Sequence, residues 1–402
     1  MKRTALIILV NTISFLVLTG QVQDSVITPY LNTAETLLKS NSKLGIGGYG
    51  EVHYNQPLSK DQKELGTLDV HRMVMFLGYN FSGKTQFVSE TEVEYAREIW
   101  IEQAFLQHKI NSYINFRAGL LLVPMGIINE YHEPVTFNGV ERPVTDNRLG
   151  LSTWREAGAG IAGTILPTSL KYQLYAVSGL NGYDTKAIFN GTNGLREGRQ
   201  KGSKAYVSSP AFTGKIEYFG IRNLNIGLSA YAGRSQSRLY GKLPDDNNTL
   251  KAKADSSSVG IAMIGADTRF EYEGLVLRGQ LYYVSISNTT EYNRFTRIAG
   301  VNNDLGKSMT GYYAEAGYDV FKLFNNIDKQ LIPFIRYEFY NTHNTVSGSL
   351  ESNPAYKNTL ITTGLTLKLN EKAVLKTDMQ FSGSAATEKY NKTFSAGIGV
   401  MF

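Results

Sequence analysis

Hydrophobic and polar residues alternate one by one along most of the chain after residue 43. Near the end, Phe394, Ala396, Ile398, Val400 and Phe402 occupy every second position, with small or polar residues between them. Side chains of a strand repeat every two residues, so these five share one face. Similar segments of about ten residues follow one another from residue 44 onward, which predicts many strands with one apolar and one polar face.

The connections between these segments alternate in length. Odd-numbered connections tend to be long, as in Leu180–Pro210, whereas even-numbered ones are as short as residues 222–223. Two connections depart from this rule, because Ala96–Glu98 is short and Lys322–Lys329 is longer than a turn. Long loops on one side and short turns on the other are typical of outer-membrane barrels.

These patterns together predict an all-β fold: one transmembrane antiparallel β-barrel of about sixteen strands that occupies residues 44–402, with short periplasmic turns and long extracellular loops. The last strand is expected to pair with Leu44–Tyr54, because no open sheet edge can face lipid. Val400 and Phe402 should then face outward. The final Phe402 also resembles the C-terminal signal of bacterial outer-membrane barrels, which predicts the barrel-assembly machinery as a partner.

The N-terminal residues predict export. Lys2 and Arg3 precede an apolar run from Ala5 to Leu18, so residues 1–20 are interpreted as a signal peptide. The run is too short and too interrupted for a spanning helix. Residues 21–43 are interpreted as a periplasmic leader with a short helix around residues 33–39. The predicted location is the cell outer membrane, whose lipid surrounds the barrel.

Bulk composition agrees with a barrel and excludes several functions. The chain has 25 Tyr and 19 Phe but a mean hydropathy of −0.21, as expected when polar inner faces offset apolar outer faces. Cysteine is absent, which excludes disulfides and thiolate sites. The formal net charge of +6 is too weak to predict binding to nucleic acid.

Motifs for catalysis or cofactor binding lack the context that their chemistry needs. Gly45–Gly50 and Gly158–Gly163 fit a dinucleotide fingerprint, but the alternation places both inside strands rather than before a helix. The five histidines form no HExxH pair, and no Gly-x-Ser-x-Gly occurs. We therefore predict no enzyme, no catalytic residue, no cofactor and no metal site.

Charged residues at lumen-facing positions predict a polar inner wall. Glu90, Glu92 and Glu94 share one face, which must be the lumen because charge facing lipid costs a few kcal/mol. A hairpin should bring Arg72 beside Glu92 or Glu94. The same parity places eight more charged residues on the lumen face: Arg117, Arg269, Glu271, Arg278, Arg336, Glu338, Lys376 and Asp378. The strand Ile99–Lys109 has no clean parity, so its faces stay unassigned.

The connection after the fifth strand is the segment with the most functional character. Residues 124–152 are predicted to fold inward and narrow the pore, as the loop at this position does in porins. Seven of its residues are constriction candidates, four acidic and two basic with one histidine: Glu130, His132, Glu133, Glu141, Arg142, Asp146 and Arg148. The four acids are expected to face Arg72, Arg117 and Arg336. Opposed charges across a narrow gap favour polar solutes.

Several stretches resemble the phosphate-selective porin O/P-like family of outer-membrane porins, in its broad branch rather than among its phosphate-specific members. They are Gly47–Tyr54, Phe87–Tyr95, Val123–Gly126, His132–Pro134, Phe137–Pro143 and Thr153–Gly158. The resemblance is strongest over residues 44–163. It implies a barrel of about sixteen strands, often a homotrimer, with an inward-folded third loop. Phosphate selectivity is not carried over, because the third loop is net acidic.

Three functions are consistent with these features. The first is passive diffusion of small hydrophilic or charged solutes, with weak ion selectivity. The second is a surface scaffold or adhesin with a plugged lumen, and the third is an outer-membrane hydrolase. An inserted segment that fills the lumen would favour the scaffold, whereas a charged wall around a gap would favour the channel.

Overall fold

The computed structural model describes residues 29–40, 42–59, 62–241, 243–244, 246–387 and 389–402. The predicted signal peptide, residues 1–20, lies outside the described residues. Within them, sixteen antiparallel strands form one closed barrel. The strands are β1 Leu44–Leu58, β2 Thr67–Ser82, β3 Thr85–Glu94, β4 Glu98–Lys109, β5 Asn115–Leu122, β6 Arg155–Ile165, β7 Leu170–Val177, β8 Ala211–Ile221, β9 Leu224–Arg234, β10 Gly260–Tyr272, β11 Leu275–Ser287, β12 Ser308–Tyr318, β13 Gln330–Thr345, β14 Lys357–Asn370, β15 Ala373–Ser384 and β16 Asn391–Met401.

The seam between β1 and β16 closes the barrel, so the predicted fold is confirmed. Gly48 and Phe402 exchange two backbone hydrogen bonds there, of 3.0 and 2.8 Å. Val400 and Phe402 face outward as predicted, with 45% and 55% of their surface exposed. A Cβ atom on Gly48 would lie 2.6 Å from the Phe402 ring, so only glycine leaves room for this closure.

Each strand separates an apolar outer face from a polar inner face. In β8, Phe212, Ile216 and Tyr218 are exposed on the outside, whereas Lys215 and Glu217 are buried inside. The alternation follows the period of two that was read from the sequence. An apolar outer belt around a charged interior is the arrangement of barrels that lie in lipid.

The two ends of the barrel differ in their connections. The turn end carries two-residue turns such as residues 222–223 and 273–274, and the loop end carries long connections such as residues 123–154 and 178–210. Both irregular connections are present, since β3 and β4 are joined by residues 95–97 alone and β12 and β13 by residues 319–329. None of the helices among the described residues is both long enough and apolar enough to cross a membrane.

A β-bulge explains why the fourth strand has no clean parity. Glu90 of β3 pairs with Gln103 of β4, but the next residue, Thr91, pairs with Ile101. Glu102 is therefore an extra residue, and both Glu102 and Gln103 are buried on the inner side. The faces of β4 exchange parity at this point, so no single period describes the strand.

The described part of the leader, residues 29–40, lies inside the barrel at its turn end, whereas the sequence predicted a segment outside the barrel in the periplasm. Its helix, α1 Thr33–Lys39, occupies the residues where a helix was expected, and a capping box of Asn32 and Glu35 begins it. The helix packs against the inner faces of β1, β2 and β3 at the turn end, where the Leu37 side chain lies over Gly45 and Gly78. Three further helices lie in the loops: α2 Val144–Arg148, α3 Asn248–Ser256 and α4 Thr289–Phe295.

Candidate functional site

The connection between β5 and β6, residues 123–154, lies across the lumen; we call it the plug loop. Its backbone N–H groups donate to three wall side chains: Ile127 to Gln280 at 3.1 Å, Val140 to Asp378 at 2.7 Å and Thr145 to Glu338 at 2.9 Å. Five of its buried apolar residues form one hydrophobic core with residues of the wall: Val123, Met125, Leu149, Leu151 and Trp154. These three bonds fix the loop to β11, β15 and β13, which lie across the barrel from β5 and β6.

The four acids of the plug loop bind other partners than the three arginines that were expected. Glu130 contacts Lys215 Nζ at 3.1 Å and accepts a hydrogen bond from Gln173. Glu133 accepts from both the backbone N–H and the hydroxyl of Thr33, at 3.0 and 2.7 Å. Glu141 pairs with His53 at 3.1 Å, and Asp146 accepts from Tyr282.

The expected arginine partners mostly pair within the wall. Arg72 contacts Glu92 at 3.2 Å and Glu51 at 3.5 Å, and it lies opposite Glu94 in the β2–β3 register. Arg117 donates to the side chains of Gln107 and Tyr175. For Arg72, neighbouring strands place opposite charges side by side, whereas the two partners of Arg117 are neutral side chains; in both cases the wall supplies the partners of the guanidinium group.

Arg336 is the one expected partner that contacts the plug loop, through backbone carbonyls. It donates to the carbonyls of Asn138 and Glu141 at 3.2 and 3.4 Å, and it also pairs with Glu315 and Glu338. The expectation of opposed charges across an open gap is therefore wrong for the described residues, because the charges meet at contact distance.

The remaining candidates lie around the same loop. Arg142 donates to the carbonyl of His132 at 3.0 Å, and Arg148 donates to Asn193 at 2.9 Å. Arg278 lies nearer the turn end, 3.7 Å from Glu271. None of these three contacts was predicted from the sequence, because each depends on where a loop runs or on the register with a neighbouring strand.

His132 is a strongly perturbed titratable group of the plug loop. Its Nε2 atom lies 3.1 Å from Glu90 and 3.4 Å from Glu102. Burial alone would lower the pKa of His132, but Glu90 and Glu102 raise it to about 10. For Asp146, burial and then the nearby Glu338 raise the pKa to about 7, although Tyr282 acts to lower it.

A buried charge cluster on the inner faces of β7, β8 and β10 was not predicted from the sequence. Lys215 Nζ lies 3.2 Å from Asp267 and 3.7 Å from Glu217, besides its contact with Glu130. Lys171 lies 3.3 Å from Glu217. The inward parity of β7 and β8 contains the signal for these residues, because Lys171, Lys215 and Glu217 fall on the face opposite the apolar positions.

The leader closes the turn end beneath the plug loop. Asn32 donates to the carbonyl of Glu130 at 3.0 Å, and Glu35 pairs with Lys171 at 2.8 Å. Gln86 of β3 donates to the carbonyl of Leu38 at 2.8 Å. Two cavities, of about 340 and 510 Å³, flank the leader.

The loop end is covered by a second layer. Arg196 and Arg199, in the connection between β7 and β8, each donate to the carbonyl of Ser152, at 2.6 and 2.8 Å. Phe189 of that connection is buried and accepts, through its carbonyl, a hydrogen bond from Asn303. The plug loop is therefore enclosed between this layer and the leader.

Burial of the wall charges shows how fully the lumen is occupied at the level of the plug loop. Glu90 has 0% of its surface exposed, Arg336 has 1% and Lys215 has 2%. In the part of the chain that the structure describes, these groups face protein atoms rather than a water-filled gap. The arrangement resembles a closed barrel interior more than an open constriction.

Comparisons with known proteins place the fold. No family model matches the sequence. A curated relative from Aquifex aeolicus (strain VF5), described as an uncharacterized protein, is 29% identical over 373 residues, covering 89% of this chain and 80% of that protein. An anion-selective porin from Comamonas acidovorans has a TM-score of 0.55 at 12% identity and covers 89% of this chain and 99% of its own.

Two further solved structures are similar. Outer-membrane expressed OmpT of Vibrio cholerae has a TM-score of 0.54 at 11% identity, and Salmonella typhi OmpF in complex with daunomycin has 0.55 at 10%. Each covers 89% of this chain and 97% of its own. At such low identities the shared property is the barrel fold.

Proposed function

We propose that the protein is an outer-membrane channel for small hydrophilic or charged solutes, which the leader closes from the turn end. The observation that carries this proposal is the largely polar attachment of the leader: among the residues of α1, only Ala34 is buried, Leu37 and Leu38 pack partly buried against the core, and the remaining contacts are hydrogen bonds and one ion pair. Water can replace such contacts at a net cost of about 0.5–1.5 kcal/mol each. A barrel of this strand number also has room for an aqueous lumen.

The plug loop has a different role in this proposal. Its apolar residues are buried against the wall, so it stays in place as the constriction while the leader moves. Departure of the leader would join the 340 Å³ cavity to the space below Glu130. Outer-membrane location is supported by the apolar outer belt and by the similarity in fold to porins.

We further propose a preference for small anions along the opened path. Apart from the leader, the wall of the 340 Å³ cavity contributes Lys109, Arg117 and Lys171 and no carboxylate. The acidic character of the plug loop is partly compensated where Lys215 pairs with Glu130. The homotrimer and the family resemblance remain part of the same proposal.

A closed scaffold is the second candidate, favoured by the complete burial of the wall charges. The two candidates are separated by single-channel conductance in planar bilayers. Thr33→Val removes the hydroxyl that Glu133 binds, and Thr36→Val is the matched control on the exposed side of α1. Deletion of residues 21–40 removes α1 and the part of the leader that precedes it.

We expect Thr33→Val and the deletion to raise the fraction of time in conducting states, whereas Thr36→Val behaves as the unmodified chain. In a potassium chloride gradient, the reversal potential should shift toward chloride, and Lys171→Gln should reduce that shift. Folded barrels that never conduct, even without the leader, would favour the scaffold and overturn the channel.

A further inference from the structure

Two histidines of the wall meet a carboxylate of the plug loop on the loop-end side of the barrel. The rings of His53 in β1 and His71 in β2 stack with centroids 4.2 Å apart. Glu141 Oε1 lies 3.1 Å from Nδ1 of His53. One donor atom from each of the three residues lies within 4.8 Å of the other two. This grouping is separate from the leader.

Each histidine is oriented by a second carboxylate on another ring nitrogen. Nε2 of His53 lies 2.9 Å from Glu51, and Nδ1 of His71 lies 3.3 Å from Asp69. Metal-binding histidines in proteins commonly have one nitrogen held in this way, which sets the ring orientation and raises the basicity of the other nitrogen. The pairing leaves Nδ1 of His53, beside Glu141, and Nε2 of His71 for a shared ligand.

Charge and access at this place suit a divalent cation. Three carboxylates, Glu51, Asp69 and Glu141, surround the two rings, and the guanidinium groups of Arg72 and Arg142 lie 3.5 and 3.8 Å from Glu51. With neutral imidazoles the charges amount to three negative and two positive. The Glu141 side chain is 39% exposed, so an ion can enter from solvent.

We propose that His53, His71 and Glu141 bind one divalent transition-metal ion of the Zn²⁺ class. Two imidazoles and one carboxylate suit Zn²⁺, Ni²⁺ or Cu²⁺, whereas Ca²⁺ and Mg²⁺ prefer oxygen ligands alone. The three donor atoms lie within 4.8 Å of one another, so binding an ion requires only a small approach of the side chains. Three protein ligands leave a further coordination position for water or a small anion.

The ion would connect the plug loop to the first two strands. Glu141 belongs to the loop, whereas His53 and His71 belong to β1 and β2. The other histidine–carboxylate group, His132 with Glu90 and Glu102, is buried completely, and its Nε2 already contacts both acids. The accessible group is therefore the one assigned to the metal.

The test is Zn²⁺ binding by the full chain, folded in detergent and freed of metal by chelation, in competition with a chromophoric chelator. We expect one ion per chain. His71→Gln and Glu141→Gln should each weaken binding by about tenfold or more, and Asp69→Asn, which acts on ring orientation, by about 10–100-fold. His108→Gln, at an exposed histidine of β4, is the matched control and should leave binding unchanged.

Two further measurements keep the outcome decisive. Each variant is first shown to be folded by its faster migration in unheated electrophoresis, and His71→Asn replaces His71→Gln if that barrel does not fold. Spectra of the Cu²⁺-loaded chain should show two coordinated nitrogens, reduced to one in His71→Gln. Absence of binding, equal loss in His108→Gln, or no loss in folded His71 and Glu141 variants would overturn the proposal.

Discussion

Replacement of Lys215 by methionine tests whether the barrel interior is occupied by protein or by water. Lys215 Nζ donates to the carbonyl of Gly126 at 2.8 Å and contacts Glu130, Glu217 and Asp267 within 3.7 Å. Methionine has a similar length but no charge, so Lys215→Met removes the cation and preserves most of the packing. The carboxylates then remain buried with less compensation.

The expected loss follows from the number of cations that remain. In the variant, Glu217 keeps two cationic partners, Lys171 at 3.3 Å and Arg269 at 2.9 Å. Asp267 loses Lys215, which among the described residues is the one cationic side chain within 4 Å of it. Removing one partner of a buried pair costs about 3–5 kcal/mol. At about 1.4 kcal/mol per factor of ten, the folding equilibrium should fall by at least about a hundredfold.

Urea unfolding of the barrel in phospholipid vesicles measures this loss through the fluorescence of the buried Trp154. Lys109→Met, at an exposed lysine of β4, should change stability by no more than about 0.5 kcal/mol. The double variant Lys215→Met with Asp267→Asn should recover part of the loss, because the uncompensated carboxylate is gone. A loss below about 1 kcal/mol in Lys215→Met would mean that water screens this site, and the inference of a filled lumen would fail.

Three other outcomes are expected. The raised pKa of His132 makes its stabilisation complete below about pH 6.5 and lost as pH rises through about 10, so urea midpoints should fall over that range and His132→Gln should flatten the decline. Asp146 has a raised pKa, about 7, which means that its ionisation destabilises the fold as pH rises from about 4; Asp146→Asn should therefore unfold at higher urea at pH 8, and a lower midpoint would contradict this. Gly48→Ala should reduce the yield of folded barrel in unheated electrophoresis, because its Cβ would lie 2.4 Å from the Val74 carbonyl oxygen, whereas Gly83→Ala, with no atom within 4 Å, should leave the yield unchanged.

The strands and their faces could be predicted from local pattern alone. Glu90 and Glu92 lie inward as period two requires, and Val400 and Phe402 lie outward. The pattern failed in β4, where one extra residue, Glu102, exchanges the faces. A single inserted residue leaves the composition of the strand almost unchanged but divides its alternation into two short runs of opposite phase. A search for one continuous period of two therefore finds no clear pattern.

The contacts inside the barrel could not be predicted, because they join residues far apart in sequence. The inward course of the plug loop was expected, but its partners depend on which strand each residue reaches. Glu133, for example, binds Thr33, a hundred positions earlier in the chain. The helix of the leader has a local signal, whereas its position in the lumen depends on contacts with Gln86, Lys171 and the plug loop.

The many attachments of the plug loop have a consequence for the order in which the chain assembles. Val140 is bound to Asp378, 238 positions later, and Glu141 to His53, 88 positions earlier. The loop thus contacts both the first and one of the last strands of the barrel wall. Its set of partners is incomplete until β15 has formed. Bringing together residues so far apart in sequence costs conformational entropy, and this cost precedes the stabilisation that their contacts provide. Pairing of β1 with β16 and packing of the plug loop should consequently occur together, as one late and cooperative step. A chain that ends before β15 should collapse without forming the native interior.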